Sequence, residues 1–113
     1  MIKIYHNPRC RKSREALHYL EDSGRDFEVV LYLKESISIS ELSDLLAKLD
    51  MSPIDLVRKE ESLWKTQYRD KNLSDLALIA LMIQEPRLMQ RPIIVSGNKA
   101  IVARPPETIK QLF

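Results

Sequence analysis

Cysteine is almost missing from this chain of 113 residues: Cys10 stands alone. One cysteine cannot close an internal disulfide, so a disulfide-stapled scaffold is excluded and a reducing, cytoplasmic compartment is expected. Histidine is nearly as scarce. His6 and His18 fall at no ligand spacing with Cys10, so no metal is expected. No apolar run reaches the length that spans a bilayer, and the opening "MIKIYHNP" lacks the apolar region of a signal peptide. Charge of one sign is lacking overall: the formal net charge is +2, which gives little support for nucleic-acid binding. Repeats, low-complexity tracts and linkers are absent too. What is present suits one soluble domain over residues 1–113, monomeric, with no membrane or nucleic-acid partner. The 44% apolar content is enough for a real core at this length.

Residues 1–6, "MIKIYH", alternate apolar and polar and predict a strand. Asn7-Pro8 is a turn signal. "RKSREALHYLEDSG" then places Ala16, Leu17 and Leu20 on one helical face, with Gly24 as the stop. "DFEVVLYL" at 26–33 predicts a second strand. Strand, helix, strand within so few residues is a βαβ unit with parallel strands and a right-handed crossover.

The middle predicts helices: Ser40 as cap of "ELSDLLAKLD", Ser52-Pro53 opening "IDLVRKEE", a short turn at "SLWKTQY", and Ser74 capping "DLALIALMIQE" up to Pro86. "RPIIVS", Gly97-Asn98 and "KAIVAR" predict a hairpin, and "PPETIKQLF" a closing helix. The order βαβ, helices, ββα is that of an α/β, thioredoxin-like fold with a mixed four-stranded sheet and a helical insertion over about 38–88. Active loops of such sheets lie at the carboxyl ends of parallel strands, where Cys10 falls.

Four cations lie within four residues of Cys10: Arg9, Arg11, Lys12 and Arg14. One reading is a buried, inert cysteine beside a charged helix face. The other is an activated thiolate. Free N–H groups of a helix start point toward an anion there, and the dipole favours it by roughly 0.3–2 kcal/mol. Flanking cations can add to that, and the Ser13 hydroxyl can hydrogen-bond the thiolate. His6, at the end of a strand, is either a structural histidine or a group acting near the thiol. A phosphatase-type loop needs an arginine six residues after the cysteine, where this chain has Ala16. Any oxyanion must therefore be held by arginines from elsewhere, with Arg58, Arg91 and Arg104 as candidates. Arg91 and Arg104 each precede a proline, which restricts them to extended backbone and helps aim their side chains.

"YHNPRCRKSR", "LVRKEE", "QRPIIV" and "ARPPE" occur in the order and spacing of the glutaredoxin-dependent arsenate reductases, the ArsC family of thioredoxin fold. The chain resembles that family over essentially its whole length. The resemblance implies Cys10 as the nucleophile, His6 and Ser13 as modulators of the thiolate, Arg58, Arg91 and Arg104 as oxyanion ligands, and Pro92 as a cis-proline facing the site. It also implies arsenate as substrate, glutathione as cosubstrate with no bound cofactor, and glutaredoxin as partner, in arsenic detoxification. Two features depart from the best-known members. Arg11 and Lys12 stand where those carry small residues, and the chain stops at Phe113 where longer members continue.

Two other readings share the site. One is a glutathione-dependent reductase of another substrate. The other is a thiol-containing transcription regulator, similar to Spx, that binds RNA polymerase. Regulators of that kind commonly sense oxidation through a Cys-x-x-Cys disulfide, and Ser13 occupies the second position here.

Overall fold

The computed structural model describes residues 2–104 and 106–112. Contacts divide it into two compact units, one made of residues 1–35 with 91–113 and the other of residues 36–90.

The first unit contains a four-stranded mixed sheet. Its strands are β1 (Ile2–Tyr5), β2 (Phe27–Val30), β3 (Ile93–Ser96) and β4 (Lys99–Val102), in the order β2-β1-β3-β4. β1 and β2 are parallel, whereas β1–β3 and β3–β4 are antiparallel. α1 (Arg11–Asp22) makes the crossover between β1 and β2. Alternation puts Ile2 and Ile4 on one face of β1. There they meet Ala16 and Leu20 of α1, Ile94 of β3, and Ala103 and Ile109 near the chain's end. Each fully buried Ile or Leu of this cluster contributes about 1.5–3 kcal/mol. α1 stops at Ser23, and Gly24 follows with φ +73°, a backbone that other residues rarely adopt.

One expectation shifts in this unit. β2 ends at Val30, not at residue 33, because the Leu31 carbonyl accepts the N–H groups of Lys34 and Glu35 at 2.9 and 2.8 Å and turns the chain. The closing helix forms as a 3-10 helix, Pro106–Leu112. The hairpin at Gly97-Asn98 forms as read, pairing Ser96 with Lys99.

The second unit is helical: α2 (Ile39–Leu49), α3 (Pro53–Leu56), a π-helical turn at Trp64–Tyr68 and α4 (Asp75–Gln84). The cap of α2 is Ser38, not Ser40. Its hydroxyl accepts the Glu41 N–H at 3.0 Å, and Ser38 with Glu41 has the spacing of a capping box. Ser74 caps α4 as expected, accepting from Ala77 at 3.2 Å. Leu42, Leu45 and Leu46 of α2 and Leu78, Leu81 and Met82 of α4 are buried, at helical spacing. α3 stops at Leu56, so the "VRKEE" that follows is not helical. Val57 pairs with Met89 in an isolated antiparallel bridge. The Arg58 N–H donates to Leu88 and that of Gln90 to Leu56, at 2.6 and 2.8 Å, so strand-like pairing wins over helix continuation. No helix among the described residues is long and apolar enough to cross a membrane.

Candidate active site

The loop from β1 to α1 is held by one residue that the sequence marked only as a turn. The Asn7 carbonyl accepts the Cys10 N–H at 3.0 Å. Its side-chain Oδ1 accepts the Arg9 N–H at 3.0 Å, and its own N–H donates to Ser13 Oγ at 3.0 Å. The short side chain of asparagine can satisfy nearby backbone, which is the physical signal that could have singled it out. His6, Asn7 and Ser13 are all buried. His6 continues from β1, its N–H donating to Val30 at 2.9 Å, and its Nδ1 lies 2.7 Å from Ser13 Oγ.

Cys10 is the N-cap of α1 and has extended backbone (φ −93°, ψ 122°), so the first N–H groups of the helix turn toward its side chain. It is partly buried. Burial pushes the thiol up. The Ser13 N–H, a hydrogen bond from Arg91, the Lys12 N–H and the Arg91 charge pull it down, and the sum leaves it below the ordinary thiol value. A stabilised thiolate at a helix start is the geometry of a nucleophile. Ser13 acts on the thiol through its backbone, while its hydroxyl is engaged with His6 and Asn7.

Arg91 reaches Cys10 because of strand register. Tyr5 pairs with Ile93 across β1 and β3, so the residues just before Ile93 lie at the level of those just after Tyr5. The Arg91–Pro92 peptide bond is cis, and Pro92 is fully buried. The Pro92 carbonyl accepts the Ala103 N–H at 2.9 Å. That bond brings the exposed Arg104 to the same end of the sheet. Pro105, expected to aim it, lies outside the described residues. Arg58 belongs to the helical unit and is mostly buried, with Nη1 3.1 Å from Glu61 and Nε 3.3 Å from Glu60.

The cations flanking Cys10 behave differently from the expectation. Arg11 and Lys12 share Glu15, at 3.2 and 3.7 Å, and Arg14 donates to the Pro8 carbonyl at 2.9 Å. The charge acting on the thiol is that of Arg91. His6 is held below its ordinary value by burial and then by the Arg14 charge, with a backbone hydrogen bond at Ser13 acting the other way. His18 is exposed on α1, its Nδ1 3.1 Å from Glu21.

The family model of the ArsC family matches residues 5–112. A protein of Escherichia coli K12 called YfgD is 47% identical over 113 residues, covering 98% of this chain and 95% of its own. An arsenate reductase of Neisseria meningitidis serogroup B is 43% identical, covering 99% and 97%. Among solved structures, an arsenate reductase from Vibrio cholerae superposes with a TM-score of 0.92 at 40% identity, covering 99% and 97%. The family model and these relatives span nearly all of the chain, and the protein belongs to the ArsC family.

Proposed function

We propose that the protein reduces arsenate to arsenite, with Cys10 as nucleophile and glutathione as the second thiol. The observation that carries this reading is the Cys10 thiol, partly buried at the start of α1, held below its ordinary value by backbone N–H groups and Arg91. The arsenate reductases at about 40% identity support the choice of oxyanion. A thiolate is the form that attacks. Its sulfur bonds to arsenic(V) while one arsenic–oxygen bond breaks and the oxygen leaves as water. Arg91 and Arg104, at one end of the sheet, offset the charge on the remaining oxygens. Arg58 is proposed as a further oxyanion ligand on the family resemblance alone; within its own unit its guanidinium is paired with Glu60 and Glu61.

Reduction needs two electrons. Cys10 is the only cysteine, so the chain cannot supply them by closing its own disulfide. Glutathione supplies the second thiol. A sulfur–sulfur bond forms between it and Cys10, and the electron pair of the sulfur–arsenic bond stays on arsenic. Arsenic passes from +5 to +3 and leaves as arsenite. Glutaredoxin then returns Cys10 to its thiol by exchange. His6 and Ser13 serve by fixing the loop that carries the nucleophile.

The test is an NADPH-coupled assay with arsenate, glutathione, glutaredoxin and glutathione reductase. Turnover is expected with the protein and not with Cys10→Ser. Intact mass should show a glutathione adduct on Cys10 when glutaredoxin is left out. Sustained turnover with thioredoxin and no small thiol would refute the mechanism.

A further inference from the structure

Two cations near the nucleophile are not engaged as the others are. Arg9 and Lys34 are exposed, and neither side chain has an ion pair or hydrogen bond among the described residues. Both line a groove of about 300 Å³ whose walls also include His6, Asn7, Pro8, Leu31 and Leu33. Leu33 is 41% exposed, so part of this apolar wall is open to water. That volume lies at the lower end of the range of small-molecule sites, about 300–1,000 Å³. The groove is built on fixed backbone. Asn7 is tied by three hydrogen bonds, and the Leu31 carbonyl by the two that end β2.

Its position follows from the strand order. The groove joins the loop after β1 to the segment after β2, whereas Arg91 precedes β3, on the other flank of β1. An oxyanion held at Cys10 and Arg91 therefore leaves the β2 flank free. We propose that this groove docks the second thiol reactant, glutathione, with its carboxylates on Arg9 and Lys34 and its methylene body against Pro8, Leu31 and Leu33. The inference rests on the two-thiol reading above. A groove lined by two cations and by apolar side chains suits a molecule that carries two carboxylates and a methylene body, and arsenate itself would gain nothing from the leucines.

The experiment needs no arsenate, so it separates this site from the choice of substrate. In it the Cys10 thiolate attacks one sulfur of a disulfide. The old sulfur–sulfur bond breaks, a new one forms to Cys10, and the departing thiolate takes a proton from water. Rates of mixed-disulfide formation are measured by intact mass for glutathione disulfide and for uncharged 2-hydroxyethyl disulfide. The ratio of the two rates cancels any change in the thiol itself. It should fall about tenfold in the double variant Arg9→Gln, Lys34→Gln, as expected for the loss of two exposed charge pairs. In the native protein it should also fall with added salt. A ratio unchanged in the double variant would overturn the site, whether or not arsenate proves to be the substrate.

Discussion

Replacing Ser13 by alanine separates two roles that the sequence could not. The Ser13 side chain is fully buried. Its hydroxyl accepts the Asn7 N–H at 3.0 Å and lies 2.7 Å from His6 Nδ1. Alanine leaves the Asn7 amide and the His6 ring each short of a partner in a buried place. An unsatisfied buried polar group costs about 1–3 kcal/mol, so Ser13→Ala should destabilise by about 2–4 kcal/mol. For a chain of this size that is a fall in melting temperature of about 8–16 °C. The thiol should respond less, because Ser13 reaches Cys10 through its N–H, which alanine keeps. Thermal unfolding and the pH dependence of Cys10 alkylation are measured on the same pair of proteins. Stability should drop while the alkylation midpoint stays below that of a free thiol. A stability loss under about 0.5 kcal/mol would refute the buried network. A midpoint rising to the free-thiol range would show that the hydroxyl acts on the thiolate directly.

Arg91→Gln removes the one side-chain charge that acts on the thiol. Alkylation of Cys10 at pH 7 should slow by about tenfold, the low end of what a charged hydrogen bond is worth, and should recover at high pH; equal rates at pH 7 would return Arg91 to a structural role. His6 has a folded value below its ordinary 6.5, so its neutral form is the one the fold favours. The unfolded chain then takes up a proton first as pH falls through 6.5. Stability from this group is complete above that point and declines below it until the folded value is passed. Urea unfolding between pH 7 and pH 5 should show a decline that His6→Gln reduces, and identical slopes in both proteins would remove His6 from the account.

Period-2 alternation in "MIKIYH", β-branched runs after it and Gly97-Asn98 are local signals, and they were enough for the order of strands and helices along the chain and for placing Cys10 at a strand's carboxyl end. Where the reading missed, a competing local signal or a distant partner decided. Ser38 and Ser40 are both good caps, and Glu41 three residues after Ser38 selects the first. "LVRKEE" has no break in its composition, but Met89 lies far along the chain and pairs Val57 into a bridge. The link from Arg91 to Cys10 has the same origin. It depends on the register of β1 against β3, which no window around either residue contains. Asn7 was legible as a turn former, but its three hydrogen bonds fix the loop that carries Cys10, and spacing alone does not reveal that.

The concentration of charge around Cys10 is therefore answered by geometry more than by number. Arg11 and Lys12 meet Glu15 one turn along the same helix, a pairing that exposed i,i+3 and i,i+4 positions favour and that spends their field in solvent. Arg14 is committed to the Pro8 carbonyl. What lowers the thiol is the pair of helix-start N–H groups, fixed by the backbone, and a guanidinium delivered from the neighbouring strand's approach. Both are directed at one atom and need little rearrangement when negative charge appears there, which is where preorganised donors are most effective. A thiol held below its ordinary value is therefore compatible with Arg11 and Lys12 directly after it. Arg11 and Lys12 fill those two positions with side chains that turn to Glu15, and their backbone N–H groups still open the helix toward Cys10.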